Sequence, residues 1–215
     1  MNPATLYGAS YSVYTRIARL VMEELELPYH LEEVDIFDPE ARPADYLERH
    51  PFGKIPAFEH EGFRLFETDA IARHVIDLAG SHALVPLAPQ SRARMVQLQR
   101  IADNYAYPVL IWGVYVEEQE QEAGGRLAPE VVEDAHRVLG VLEGLWTGPF
   151  FIGPQLTLAD LWLAPMLIYL GYAPTGRALL SEFPELESWL ETMEARPSLQ
   201  ATLFPREQET SARGA

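Results

Sequence analysis

The chain changes character near residue 80, and this change limits the available folds more than any other feature of the sequence. Before it, strand-like and helix-like patterns alternate. After the stretch "GSHALVPLAPQS" (Gly80 to Ser91), strand patterns all but vanish. The sequence therefore predicts a small α/β domain over residues 1–80, a linker over 81–91, an all-helical domain over 92–204 and a flexible tail over 205–215.

The first 80 residues contain the element order β-α-β followed by β-β-α. The segments "TLY" and "HLEEVDI" have strand composition, and between them apolar residues recur every four positions from Val13 onward. A strand, a helix and a strand predict a parallel pair with a right-handed crossover. The later segment "IPAFEHEGFRLF" predicts a hairpin, and "ETDAIARHVIDLAG" predicts a helix that ends at Gly80.

The second part of the chain contains only helical patterns. In the stretch "LTLADLWLAP", Thr157 and Asp160 have the spacing of a capping box, which predicts a helix start. The other predicted helices are Arg92 to about Glu122, with a kink at Pro108, then Pro129 to Leu145 and Phe183 to Glu194.

Several classes of function are excluded or disfavoured by composition. The chain has no cysteine, which excludes disulfides, cysteine-ligated metals and a cysteine nucleophile. A net charge of −16 argues against nucleic-acid binding, which depends on Lys and Arg. Six histidines without HxxxH or HExxH spacing predict no metal site, and no phosphate-loop motif is present. No secretory signal and no apolar run of about 18 residues is visible, so we expect a cytoplasmic protein.

The stretch "HPFGKIPAF" places Pro56 where its neighbours predict the start of a strand. Proline has no N–H for a sheet ladder and is confined to strand starts, edges and bulges. From these residues alone, the simplest interpretation is a trans proline that begins an edge strand.

Three motifs in this order resemble those of the cytosolic glutathione transferases: "HPFGKIPAF", "LFETDAIARHV" and "LTLADLWLAP". The first segment, "LYGASYSVYTR", is similar to that of the serine-type classes such as phi. The resemblance covers about residues 4–204. It implies a thioredoxin-like N-terminal domain with a mixed four-stranded sheet, followed by an all-helical domain, and it implies a cis peptide bond before Pro56, which proline makes accessible at low cost.

The resemblance also implies a glutathione site. Ser12 takes the place of the serine that stabilises the glutathione thiolate, and Tyr7 and Ser10 remain alternatives. Further expected contacts are the Ile55 main chain beside Pro56 for the cysteinyl part, Thr68 for the γ-glutamyl carboxylate, Glu67 for the ammonium, and Lys54 with Arg42 for the glycyl carboxylate. For each of these residues a purely structural role, such as helix capping or a solvated surface charge, is also compatible with the sequence.

An electrophile pocket is expected from aromatic residues, although aromatics at helical spacing are also common in protein cores. The principal candidates are Tyr11, Tyr107, Trp112 and Tyr115. Tyr105, Tyr169 and Tyr172 are further candidates.

The resulting hypothesis is an enzyme that activates glutathione for attack on a small hydrophobic electrophile, with glutathione as co-substrate and no other cofactor. Glutathione-dependent peroxidase, isomerase or dehalogenase activity is an alternative. A non-catalytic scaffold is another, as in the N-terminal part of translation elongation factor 1B gamma. The resemblance implies a homodimer. Asp69 and Arg73 are candidates for the contact between subunits, and a role as solvated charges on the helix surface is equally compatible with the sequence.

Overall fold

The computed structural model of the chain describes residues 2–38, 42–120 and 126–208. They form two compact units. One unit comprises the chain up to His82 together with the residues from Arg196 onward, and the other is Ala83–Ala195. The boundary near residue 82 agrees with the change in sequence pattern. The division at Arg196 differs from the prediction that the helical domain continues to residue 204.

The first unit is built on a mixed four-stranded sheet. Its strand order is β2-β1-β3-β4, in which β1 and β2 are parallel and the other pairs are antiparallel. This is the thioredoxin-like arrangement that the sequence predicted. The elements of this unit are β1 (Ala4–Gly8), α1 (Val13–Glu24), β2 (Tyr29–Glu33), α2 (Tyr46–Arg49), β3 (Ala57–His60), β4 (Phe63–Phe66) and α3 (Thr68–Leu78), and near the chain end α10 (Pro197–Ala201).

Burial in the sheet of the α/β unit follows the alternation of residues along a strand. In β1, Ala4, Leu6 and Gly8 are buried and the intervening residues are half-buried, as expected for alternation across a sheet. The β3–β4 hairpin turns at Glu61 and Gly62, whose φ angles of 50° and 81° give the left-handed backbone of a type I′ turn. The predicted second strand is shorter than expected, because β2 ends at Glu33.

The second unit is helical throughout its described residues, apart from short connections. Its central helix is α7, of which twelve residues are buried, and the Thr157–Asp160 capping box at its start is present as predicted. The elements of this unit are α4 (Pro89–Ile101), a π-helical segment (Ala102–Val116), α5 (Glu117–Glu120), α6 (Pro129–Leu145), α7 (Leu158–Tyr172), α8 (Pro174–Leu180) and α9 (Pro184–Glu194).

The π-helical segment stands where the sequence predicted a continuous α-helix with a proline kink. Pro108 lies inside this segment, where each turn is wider than in an α-helix. A proline cannot donate an N–H to the ladder, so it favours a departure from α-helical bonding. The predicted end of this helix near Glu122 lies outside the described residues.

The chain end is more ordered than the prediction of a flexible tail over 205–215. Residues 205–208 are helical, and Glu207 pairs with the buried guanidinium of Arg16 on α1. These four residues therefore belong to the α/β unit, and residues 209–215 lie outside the described residues. In the parts of the chain that the structure describes, no helix is both long and apolar enough to cross a membrane.

Candidate functional site

Ser12 caps the N-terminus of α1. The Thr15 N–H donates to Ser12 Oγ at 3.3 Å, and the Ser12 N–H donates to the Ala9 carbonyl at 3.0 Å. Because the cap uses Oγ as an acceptor, the hydroxyl proton remains available for another acceptor. The side chain is half-buried, and the positive end of a twelve-residue helix lies beside it. This position suits stabilisation of an anion.

Two carboxylates hold the loop that precedes Ser12. The Ser10 N–H donates to both carboxylate oxygens of Glu33, at 3.1 and 3.2 Å, and the Tyr11 hydroxyl donates to Asp35 at 2.8 Å. Burial and the Asp35 carboxylate raise the pKa of Tyr11, so its hydroxyl stays protonated. Sequence reasoning missed Glu33 and Asp35, since nothing local links them to residues more than 20 positions earlier.

Tyr7, one of the alternatives to Ser12, packs with its ring against the guanidinium of Arg49. The Arg49 guanidinium lies 4.7 Å from the centre of the Tyr7 ring, and the Tyr46 ring centre is 6.5 Å away. Tyr7 also packs against the buried cluster that contains Val34, Tyr46 and Ala57. Its side chain therefore belongs to the face of the sheet that α2 covers.

A cis peptide bond, a hydrogen bond from Tyr46 and a left-handed glycine define the backbone of the loop between α2 and β3. The Ile55–Pro56 peptide bond is cis, as the resemblance implied. The Tyr46 hydroxyl donates to the Lys54 carbonyl at 2.6 Å, and burial raises the pKa of Tyr46 to about 12, which keeps this donor protonated. Gly53 has a φ of 62°, a left-handed conformation that favours glycine. Sequence reasoning did not identify Tyr46, which lies within residues 37–54, a polar, proline-bearing segment for which the sequence predicts a loop with one helical turn.

Two cations lie in or against this loop without a carboxylate partner. A Cβ added to Gly53 would lie 2.9 Å from Arg42 Nη1, so the Arg42 guanidinium rests against the glycine. Lys54 is exposed. Neither side chain forms an ion pair with any residue in the described ranges, whereas Arg49 nearby pairs with Asp45 at 2.6 Å. In a chain of net charge −16, unpaired cations at a loop suit an anionic ligand.

Glu67 and Thr68 form the start of α3. Glu67 is exposed, makes no side-chain cap bond, and has a φ of 73° with a ψ of 117°. Such a backbone is costly for a residue other than glycine and is concentrated at functional sites. Thr68 is buried in the first turn, where the N–H groups of a helix lack intrahelical acceptors. The arrangement can accept a carboxylate at the N–H groups and an ammonium at Glu67.

The aromatic candidates in the helical unit fall into different surroundings. Tyr107 is half-buried. Burial raises the pKa of Tyr107, and the Trp112 side chain acts in the opposite direction. Tyr115 packs edge to face against Tyr169, with ring centres 4.8 Å apart, and Tyr172 lies 6.3 Å away.

Tyr105 is exposed and contributes to a separate feature of the helical unit. It lines an apolar groove of about 480 Å³, together with Ile101, Val109, Val138 and Val141. The six aromatic candidates within the helical unit therefore lie in different surroundings.

Within the described residues, no group of three or more His, Asp or Glu side chains is arranged to hold a metal ion. Among the described residues, the candidate site of the α/β unit combines the hydroxyls of Ser12 and Thr68, the Glu67 carboxylate, the N-termini of α1 and α3, and two cations, Arg42 and Lys54, that form no ion pair there.

Comparison with known proteins places both parts of the chain in one family. The family model for the glutathione S-transferase N-terminal domain matches residues 11–78, and that for the C-terminal domain matches residues 109–203. Glutathione S-transferase 4 of Zea mays is 30% identical over 200 residues, which cover 90% of this chain and 88% of the maize protein.

Two further comparisons concern a relative that matches over only part of its length and a solved structure with a similar fold. Human elongation factor 1-gamma is 30% identical over 166 residues, but these cover 75% of this chain and only 37% of that protein. The crystal structure of poplar glutathione transferase F1 is similar with a TM-score of 0.81 over 97% of this chain and 100% of the poplar chain. At 24% sequence identity, the poplar structure supports the fold.

Proposed function

The chain belongs to the glutathione S-transferase family, and from this premise we propose that it is an enzyme that activates the glutathione thiol for attack on a small hydrophobic electrophile. The observation that carries the proposal is the Ser12 hydroxyl at the N-terminus of α1, whose oxygen accepts the cap bond while its proton is left to donate. A free thiol has a pKa near 8.5, and positive helix ends lower this value.

Ser12 donates a hydrogen bond to the glutathione sulfur in the proposed reaction. Each unit by which the site lowers the thiol pKa corresponds to about 1.4 kcal/mol of preference for the thiolate. The thiolate then forms a bond to the electrophilic carbon as the leaving group departs. The serine-type, phi-like or theta-like assignment within the family rests on Ser12 and on the packing of the rival Tyr7 beneath Arg49.

The remaining groups of the α/β unit bind the rest of the tripeptide. The main chain of Ile55 beside Pro56 pairs with the cysteinyl residue in the manner of an added strand. Thr68 and the first turn of α3 hold the γ-glutamyl carboxylate, and Glu67 receives the ammonium. Arg42 and Lys54 hold the glycyl carboxylate, which is consistent with their lack of an ion pair among the residues that the structure describes. Glutathione is the co-substrate, and the proposed reaction needs no other cofactor.

Tyr11 in the α/β unit and, separately, Tyr107, Trp112 and Tyr115 in the helical unit are the proposed contacts of the electrophile. Apolar rings suit a hydrophobic electrophile. Peroxidase, isomerase or dehalogenase chemistry would use the same thiolate and would differ in these contacts.

A homodimer in the cytoplasm is proposed as the working form. Phe52 is 72% exposed and Leu47 is 59% exposed on the α/β unit, and the groove around Tyr105 is exposed on the helical unit. Apolar surface of this kind marks contacts between proteins. The Phe52→Asp variant should be monomeric by light scattering, and a monomeric unmodified protein would contradict the proposal. Asp69 and Arg73, candidates for this contact, bond to each other at 3.0 Å.

Titration calorimetry with glutathione, followed by an assay with an activated aryl halide, tests the proposed function. Binding at micromolar to millimolar concentration together with accelerated conjugation supports it. Absence of binding would favour the scaffold alternative, which the partial similarity to elongation factor 1-gamma introduces.

A further inference from the structure

His50 is an unexplained buried polar residue beside the candidate site. It directly follows α2 and is only 3% exposed. Its ring packs against Phe66, with centres 4.9 Å apart, and edge-on to Phe52 at 6.3 Å. In the part of the chain that the structure describes, Nδ1 has no hydrogen-bond partner. Buried polar atoms without partners are rare and call for an explanation.

The position of His50 joins the two ends of the proposed glutathione site. The Gly53 N–H donates to the His50 carbonyl at 2.8 Å, which fixes the turn that leads to Lys54. Phe66, against which the ring packs, immediately precedes Glu67. His50 therefore lies between the turn that leads to Lys54 and the residue that precedes Glu67.

The charged groups around His50 shift its pKa in opposite directions. Burial lowers the pKa of His50 most strongly, the Glu67 carboxylate raises it, and Lys54 lowers it. The carbonyl of Tyr46 in the preceding helix α2 accepts the main-chain N–H of His50 at 3.0 Å and not a ring N–H. The same helix also contributes Arg49, which is already paired with Asp45. The ring is therefore neutral at neutral pH, and Glu67 is the acid that a protonated ring would attract.

We propose that His50 is a positioning residue that makes glutathione binding sensitive to pH: the neutral ring leaves Glu67 to the ammonium of glutathione, and the protonated ring competes for that carboxylate. This inference rests on the proposed function and extends it to regulation of the same site.

The sign of the effect follows from linkage. If the neutral form binds glutathione more tightly, affinity falls as the ring becomes protonated, and bound glutathione lowers the proton affinity of the ring by the same factor. Histidine is the side chain whose charge ordinarily changes between about pH 5 and 8. The thiol of bound glutathione would add a pH dependence of its own, because the proposed site lowers the thiol pKa. S-methylglutathione has no ionisable thiol, and its carboxylates and ammonium stay in one protonation state between about pH 5 and 7.5, so this ligand adds little to the profile.

The first experiment measures the dissociation constant of S-methylglutathione by calorimetry from about pH 7.5 to pH 5. The unmodified protein should lose affinity by about tenfold over this range, and His50→Asn should show a nearly flat profile. The matched control is His74→Asn, because His74 also packs against phenylalanine rings and burial also lowers its pKa, but its ring contacts are Phe58 and Phe63. That variant should retain the unmodified profile.

The second measurement uses only the unmodified protein, so it does not depend on whether a variant folds. The ring resonances of His50 are titrated by NMR in the unmodified protein, with and without saturating glutathione. A lower His50 pKa in the complex supports the proposal, whereas an unchanged or higher value overturns it. A flat affinity profile in the unmodified protein also overturns it. Absence of glutathione binding at about pH 7.5 would instead contradict the proposed function itself, so the two failures are distinguishable.

Discussion

The Arg16 guanidinium lies 2.6 Å from the carboxylate of Glu207, a residue 191 positions later in the chain. Arg16 is 1% exposed, and its guanidinium also contacts the Leu199 carbonyl and lies 4.2 Å from the centre of the Phe204 ring. A buried charge is stable only when it is paired and hydrogen-bonded. The end of the chain therefore completes the unit that carries Ser12.

Replacing Glu207 by Gln should lower the free energy of unfolding by about 3 kcal/mol, because it leaves the Arg16 charge buried without its carboxylate. Urea denaturation measures this change. Glu182→Gln is the control, since this exposed carboxylate faces His136 at the surface and its loss should cost under about 0.5 kcal/mol. Equal stability of the two variants would show that the Arg16–Glu207 pair contributes nothing.

Replacing Ser12 by Ala should reduce conjugation at neutral pH by about 10- to 100-fold, because the thiolate loses its hydrogen-bond donor. The thiol pKa of bound glutathione, measured by ultraviolet absorbance, should rise. Loss of the helix cap should also cost about 1 kcal/mol of stability. Ser12→Thr keeps the hydroxyl and should retain most of the conjugation activity and most of the stability. Unchanged turnover in Ser12→Ala would transfer the role to Tyr7 or Ser10.

Lys54 is the only lysine among the 16 basic residues of the chain, which makes it selectively addressable by amine acylation. Glutathione should slow acylation of Lys54 several-fold, as quantified by peptide mass spectrometry, while the α-amino group of the chain serves as the internal reference. Lys54→Met should weaken glutathione binding by about fivefold, equivalent to about 1 kcal/mol. Arg92→Met, which removes an exposed cation of the helical unit, should leave binding unchanged. Equal acylation rates with and without glutathione would remove Lys54 from the site.

Replacing Asp160 by Asn should destabilise the protein by about 2–4 kcal/mol. This fully buried carboxylate accepts from the Phe151 N–H, the Thr157 N–H and hydroxyl, and Trp189 Nε1. An amide offers one acceptor oxygen and turns an NH2 group toward donors, so at least one of these donors is left unpaired. Thermal or urea unfolding measures the effect. Asp134→Asn, at an exposed pair with Arg137, is the control, and a similar cost for both would refute this role for Asp160.

The parts of the fold that sequence reasoning predicted are those encoded within a few neighbouring residues. The helix starts at Val13 and at Leu158 follow from a capping serine or threonine and from apolar residues at helical spacing. The hairpin turn follows from Glu61 and Gly62. The places of Ser12 and Glu67 at helix starts were predictable for the same reason, although their roles in glutathione binding stay predictions.

The sequence by itself determined the succession of an α/β part and a helical part, because local hydrogen bonds and hydrophobic periodicity decide which elements form. Only the tertiary structure decided that Glu207 pairs with Arg16, that Asp35 holds Tyr11 and that His50 is buried beside Phe66. These contacts join residues 16 to 191 positions apart, and their energies depend on burial and on exact distance. No short segment encodes these contacts, because the sequence around a charged residue or a histidine is the same whether its side chain is solvated or buried.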